Sequence, residues 1–286
     1  MKAVLFLNLL VASAAQYVSY PWPNPTASSL NVTLGYGTVN STGTRFNWYI
    51  AMLDDFNRFS IELPSQGCNV LQGTTATATA SGCVVATNAG YFQFSMNPTY
   101  CLGSIVIRGQ IDEWTDGVDL FALTSSNTTL VGTLTKAQIK SLGVTYAVAA
   151  FGTIVSEGRP NEAGIAKAKA AIRKQKPTAE EVAPRTVLAL DSLNRLMIVA
   201  IDGVEALNMG VTMTELAEIF SVGATGFPYK AITALNMDGG GSTTMSIAPS
   251  VMDSKASGPI AIFNRPTSSD LGPIVERGVT TIACVK

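Results

Sequence analysis

The sequence predicts an α+β fold, with mixed β-sheets and a few packed helices in a single domain. Three observations carry this. From Leu30 to about Gly152 the chain is a succession of short runs rich in Val, Thr, Tyr and Phe, broken by Gly, Asn and Ser. Only two later segments, Glu162 to Lys176 and Met213 to Val222, have helical spacing. And 47 % of the 286 residues are hydrophobic against 14 % charged, enough apolar material for a substantial core.

At the N-terminus, Met1-Lys2 is followed by the apolar stretch Ala3 to Ala12 and the small residues Ser13, Ala14 and Ala15. Residues 1–15 read as a secretory signal peptide, too short in its apolar part to span a bilayer as a helix. Residues 16–29, rich in Pro, Ser and Tyr, form an extended or disordered arm, and 30–286 the domain proper. Asn47 to Leu63 alternates as strands do, whereas Thr74 to Ser81, built only of Thr, Ala and Ser, fits a weak helix or a loop. Glu162 to Lys176 is an exposed basic helix whose apolar stripe holds Ile165 and Ile172, and Pro177 and Pro184 bracket a turn after it. Thr186 to Asp191 and Leu196 to Asp202 are two apolar runs joined by Ser192 to Arg195, a hairpin. Thr212 and Glu215 form a capping box that starts a helix ending at Gly223, and this explains Glu215 without any chemistry. Gly278 to Val285 is the last strand.

Bulk properties exclude several functions. A formal charge of −1 with no long basic run argues against nucleic acid and anionic membranes as partners. No later segment approaches roughly 18 consecutive apolar residues, so no membrane span is expected in the mature chain. With no histidine, Ser-His-Asp and Cys-His catalysis are ruled out and a catalytic zinc site is disfavoured. Proton transfer falls to Asp, Glu, Tyr or Lys. Four cysteines, Cys68, Cys83, Cys101 and Cys284, imply two disulfides with three possible pairings. Asn31, Asn40 and Asn127 head N-glycosylation sequons. Both signals fit a secreted protein or one in the lumen of the secretory or lysosomal pathway.

The densest chemistry is the block Asn236-Met237-Asp238-Gly239-Gly240-Gly241-Ser242-Thr243-Thr244, which follows the apolar run Ala231 to Leu235. Three glycines without Cβ atoms let a ligand approach the backbone and let N–H groups converge on an anion. The same residues also suit an Asp-Gly hairpin between Ala231 to Met237 and Thr243 to Ala248. Asn88, at the exit of the strand Cys83 to Ala86, is either a mounted polar group or part of an Asn-x-Gly turn with Tyr91 and Phe92 in the core. Asp202-Gly203 is likewise a strand-end carboxylate or a turn. Arg185 clamps a phosphate, pairs with an acid or is a surface residue.

Read together, ALNMDGGGSTTM, RTVLALDSLNRLMIVAIDG, GVTMTELAEIF and the earlier TNAGYF resemble the phosphodiester glycosidase family, in family order from about Cys68 to the C-terminus. The resemblance implies a catalytic domain that removes N-acetylglucosamine α-linked through C1 to a phosphate, exposing a mannose 6-phosphate-type monoester. On that basis Asp238 is the expected carboxylate at the anomeric centre or the attacking water. Asp202, Asn88 and Asn236 orient sugar hydroxyls or support Asp238, and Tyr91 stacks on the sugar ring. Arg185, the N–H groups of Gly239, Gly240 and Gly241, and the hydroxyls of Ser242 and Thr243 hold the phosphate. The resemblance also implies the disulfides Cys68–Cys101 and Cys83–Cys284. No cofactor is required, although clustered Asp and Asn oxygens are also donors that Ca²⁺ takes. Two further readings fit the same residues: a secreted polysaccharide-acting glycosidase of this fold, and a carbohydrate-binding protein without activity.

Overall fold

Arg185–Leu190 and Leu196–Ile201 form the hairpin that the two apolar runs predict, with Arg185 opposite Ile201 and Leu190 opposite Leu196. The computed structural model describes residues 16–24, 29–93, 98–173, 181–267 and 275–286. The expected signal peptide lies outside these residues, as do 25–28 of the arm, the end of the basic helix and Pro177.

The hairpin sits in a seven-stranded sheet, whose strands from one edge to the other are Arg159–Pro160, Gly152–Ser156, Thr233–Asn236, Arg185–Leu190, Leu196–Ile201, Arg45–Leu53 and Leu30–Thr38. Its central strands are continuously apolar because both faces are covered. Leu188, Leu190, Ile198 and Ala200 point into the main core, while Val187, Ala189, Met197, Val199 and Ile201 face a second core roofed by the helices Glu162–Arg173 and Met213–Ser221. Ile165 is buried there; the side chain of Ile172 is outside the described residues.

Two more sheets close the main core. A six-stranded sheet contributes Ile105, Phe121, Leu123, Val131 and Val148, and a five-stranded sheet contributes Ile61, Val85, Ala283 and Val285. The ladders between these strands are antiparallel, and the one parallel contact among the described residues is the isolated bridge Thr267 to Val275. With five α-helices beside them, the class is α+β.

Several local readings resolve. Tyr17–Pro21 of the arm is not disordered: it pairs with Thr128–Thr133 at the edge of the six-stranded sheet, and Trp22 stacks on Phe56 with ring centroids 5.2 Å apart. Thr74–Ser81 is a helix, stopped by Gly82 in the left-handed region at φ 70°. The Thr212–Glu215 capping box forms as expected, and Glu215 Oε1 also accepts the hydroxyls of Thr42 and Thr44 at 2.5 Å each. The last strand divides into Gly278–Val279 and Ile282–Val285. Both disulfides join the pairs the resemblance implies, Cys68–Cys101 and Cys83–Cys284. No helix among the described residues is long and apolar enough to cross a membrane.

This topology gathers strand ends. Arg185 opens its strand opposite Ile201, which closes the next one, and Asn236 ends a third strand opposite Val187. Asn88 ends a strand of the five-stranded sheet, opposite Ile282. All four ends meet where the two sheets adjoin.

Candidate functional site

The block after Asn236 is not a hairpin. Thr233–Asn236 belongs to the seven-stranded sheet and Met245–Ile247 to the five-stranded sheet, so Met237 to Thr244 carries the chain from one sheet to the other. Gly240–Ser242 makes a single 3₁₀ turn in this crossing, and Gly240 has φ +59°, where a side chain is strained.

Each glycine admits a different neighbour. A Cβ on Gly239 would lie 2.8 Å from the Pro184 carbonyl oxygen and 3.8 Å from Arg185 Cδ. On Gly240 it would lie 2.7 Å from Glu205 Oε2, and on Gly241 2.3 Å from a terminal nitrogen of Arg277. The glycines therefore admit the Pro184 carbonyl, the Glu205 carboxylate and the Arg277 guanidinium at close range. The Gly240 N–H donates to the Pro184 carbonyl at 2.9 Å, and the Gly239 N–H is directed to the Asp238 carboxylate.

Asp238 itself is partly exposed, but its Oδ2 is sealed from solvent with no hydrogen-bond partner in the protein. Burial pushes its carboxyl up to about 7; the Ser242 hydroxyl, the Arg277 charge and the Gly239 N–H oppose that rise. A carboxyl titrating there can exchange a proton near neutrality, which suits acid–base work.

Other expected residues support Asp238 from behind. Asn88 is fully buried: its Nδ2 donates to the Asp238 carbonyl at 2.6 Å, and its Oδ1 accepts from Thr186 Oγ1 at 2.8 Å and Thr244 N–H at 3.1 Å. Its side chain thus holds the backbone of Asp238 in place from the end of its own strand. The Tyr91 ring is buried and packs on Phe151 with centroids 3.7 Å apart. Its hydroxyl donates to the Met237 carbonyl at 2.7 Å and accepts from Asn236 Nδ2 at 2.6 Å. Burial, and next the Asp238 charge, raise its phenol well above the usual value. Asn236 is buried as well, with Oδ1 unpartnered.

The expected phosphate ligands also move inward. Arg185 is 2 % exposed; its Nε donates to the Val211 carbonyl at 3.1 Å and a terminal nitrogen donates to the Glu181 carbonyl at 2.5 Å, with Glu181 Oε2 3.8 Å from the other. These contacts fit the acid-pairing reading and anchor the hairpin's start. Ser242 and Thr243 are each 1 % exposed, and the Ser242 hydroxyl is directed to Asp238 instead of outward.

Asp202 remains partly open. Its Oδ1 accepts from Asn264 Nδ2 at 2.9 Å and Arg265 N–H at 3.2 Å, and the Tyr49 hydroxyl faces it. Burial raises its carboxyl, against those donors. Asn264 Nδ2 also donates to the Thr243 carbonyl at 3.0 Å, linking Asp202 to the glycine crossing.

Sequence reasoning missed Glu205, Asn264, Glu276 and Arg277. The three glycines signalled that three groups approach closely, but not which ones. Glu205 follows Asp202-Gly203 by two residues and was within sight; Arg277 lies 36 positions beyond Gly241 and only the fold brings it in. Among the described residues no group of three or more His, Cys, Asp or Glu side chains is placed to hold a metal ion.

A sequence model for phosphodiester glycosidases matches residues 81–286. N-acetylglucosamine-1-phosphodiester alpha-N-acetylglucosaminidases of Bos taurus and Homo sapiens are 23 % identical over 232 residues, covering 77 % of this chain and 40 % and 41 % of their own length. That of Mus musculus is 23 % identical over 247 residues, 81 % of this chain and 44 % of its own. The chain therefore spans about two fifths of the relatives it matches. Among solved structures, the zebrafish catalytic domain of the same name, auto-inhibited by a pro-peptide, superposes with TM-score 0.75 at 17 % identity, over 94 % of this chain and 87 % of that one. A hypothetical protein from Synechocystis superposes with TM-score 0.55 at 14 % identity, over 92 % of this chain and 64 % of that one.

Proposed function

The chain belongs to the phosphodiester glycosidase family, and from that premise we propose that it hydrolyses the bond between C1 of an α-linked N-acetylglucosamine and a phosphodiester oxygen. The products are the free sugar and a phosphomonoester of the mannose 6-phosphate type.

The observation that carries this reading is the guanidinium of Arg277 packed at Gly241, from where its charge favours the ionised form of Asp238. Cleavage of a glycosidic bond develops positive charge at C1 and negative charge on the leaving oxygen. A phosphomonoester leaves far more readily than a sugar alkoxide, so an acid is less necessary than a cation that neutralises the phosphate. Arg277 supplies the cation. Ionised Asp238 either opposes the charge at C1 or takes the proton of the attacking water, and Glu205, which approaches Gly240, is assigned to the sugar hydroxyls; Asp202 supports the glycine crossing through Asn264. This division suits a chain without histidine.

The test compares UDP-N-acetylglucosamine and N-acetylglucosamine-1-phospho-mannoside with a plain aryl α-N-acetylglucosaminide. Release from the phosphodiesters alone supports the reading. Equal release from the aryl glycoside points to an ordinary glycosidase, and tight binding without turnover to a carbohydrate-binding protein. The chemistry uses no cofactor, so prior dialysis against EDTA leaves the rate unchanged; a loss restored by Ca²⁺ contradicts that. A lumenal or secreted location is part of the proposal, supported by the leader-like composition of residues 1–15 and the two disulfides. Asn31, Asn40 and Asn127 all sit at exposed positions and are proposed to carry glycans, readable as a mass loss on deglycosylation.

A further inference from the structure

The helix Thr74–Ser81 starts at Gly73, which has no side chain to satisfy the first N–H groups, and no side-chain cap bond forms there. The missing acceptor arrives from 201 positions away: Glu276 Oε2 accepts from the Thr75 N–H at 3.0 Å and the Thr75 hydroxyl at 3.1 Å. The carboxylate lies flat on Gly73, where a Cβ would come within 2.4 Å of Oε1 and 2.7 Å of Cδ. Thr75 Oγ1 is also 2.7 Å from Ser246 Oγ, in the strand that receives the glycine crossing. A negative charge at a helix N-terminus is favourable in itself.

Glu276 immediately precedes Arg277. On the other side of Arg277, Gly278 and Val279 pair with Gly73 and Gln72 in a short antiparallel ladder. Arg277 is therefore fastened at both neighbours to the start of one helix, and from there its guanidinium packs against Gly241, with its terminal nitrogen, Cζ and Nε at 2.3, 2.7 and 3.2 Å from where a Cβ would stand.

We propose that Glu276 is a positioning residue that, by capping the helix Thr74–Ser81 from outside, sets the reach of Arg277 to Gly241 and Asp238. The part of the claim that concerns phosphate rests on the function proposed above. A long flexible arginine is effective at an anion only when its backbone is fixed, because freezing it on binding carries an entropic penalty.

The experiment compares the wild type with Glu276→Ala, Glu276→Asp, Glu276→Gln, Arg277→Gln and the double variant Glu276→Ala/Arg277→Gln. Two readouts are used: the titration of the Asp238 carboxyl by carbon NMR, and the affinity for N-acetylglucosamine 1-phosphate by calorimetry. Removing the Arg277 charge moves the Asp238 titration upward. Glu276→Ala moves it in the same direction and weakens binding about tenfold or more, and the double variant is no worse than Arg277→Gln alone. Glu276→Asp, which keeps the charge but draws it back by one bond, gives a smaller change of the same sign and serves if the alanine variant does not fold. Glu276→Gln, which retains an acceptor for the Thr75 N–H, recovers at least half of the lost affinity. The proposal is overturned if Glu276 variants lower only the melting temperature while the Asp238 titration stays in place, or if the two losses add. Should the wild type neither bind nor cleave the sugar phosphate, the functional reading fails, and the NMR arm still decides the positioning claim.

Discussion

The side-chain amide of Asn88 donates to the backbone carbonyl of Asp238 at 2.6 Å, across a sequence separation of 150. This bond joins the end of a strand in the five-stranded sheet to the loop that has just left the seven-stranded sheet. With Oδ1 held by Thr186 and Thr244, the amide is a three-way junction under the carboxylate. The fold fixes Asp238 through its backbone and leaves its carboxylate for chemistry.

Replacing Asn88 therefore acts through Asp238. Asn88→Ala orphans the Thr244 N–H and the Asp238 carbonyl inside the protein and is expected to lower stability by about 2–4 kcal/mol. Turnover falls with it, while KM for the phosphodiester changes little. Urea unfolding and steady-state kinetics measure both. A raised KM at unchanged stability would mean that Asn88 touches substrate after all.

The glycines separate two kinds of close approach. At Gly241 an added Cβ meets the far end of Arg277, which can swing away, so Gly241→Ala folds with little loss and weakens phosphodiester binding by about tenfold through the displaced cation. At Gly239 the Cβ meets the Pro184 carbonyl, which is backbone and cannot yield, so Gly239→Ala lowers the melting temperature first. Kinetics and thermal melts on the two variants, made in parallel, check the contrast; equal effects on stability contradict it.

The sequence made legible what depends on local pattern. The hairpin before Asp202, the Thr212–Glu215 capping box and the placement of Asn236 and Asp238 at a strand exit follow from apolar runs and their punctuation. What lay beyond it was the direction of each side chain at the sheet junction. Tyr91, Arg185, Ser242 and Thr243 are ligand contacts on the family resemblance, and the structure buries each of them with a bond to its own surroundings. Periodicity cannot distinguish a polar residue that supports a site from one that lines it. Arg277 and Glu276 were invisible for a different reason: their roles arise from a pairing between Gly278 and Gly73 that no local signal announces.

The Cys83–Cys284 disulfide closes a separation of 201 residues, whereas Cys68–Cys101 closes 33. Cys284 stands opposite Ala86 in the strand pair that ends at Asn88. By loop-closure entropy, the longer link restricts the unfolded chain by about 1–2 kcal/mol more than the shorter one. Cys83→Ala/Cys284→Ala is thus expected to lower the urea midpoint more than Cys68→Ala/Cys101→Ala and to cost turnover as well, through Asn88. The opposite order in the two midpoints contradicts the argument.

Asp238 ties activity and stability to pH in opposite senses. The folded protein raises its carboxyl to about 7 from an unfolded value of about 4. Between those values the folded state holds a proton that the unfolded state has released, so its contribution to stability is fully present below pH about 4 and is lost as pH rises through about 7. Asp238→Asn cannot ionise: its melting temperature relative to the wild type is higher at pH 8 than at pH 4.5. The same ionisation creates the group the reaction needs. Wild-type turnover rises through pH about 7, and Asp238→Asn is flat and lower by at least about a hundredfold. Arg277→Gln moves the midpoint of the wild-type rise upward, because the neighbouring cation favours the carboxylate. Calorimetry at the two pH values and a pH–rate profile test these together. Turnover that falls through pH 7 would instead make the neutral carboxyl the working form and Asp238 the proton donor.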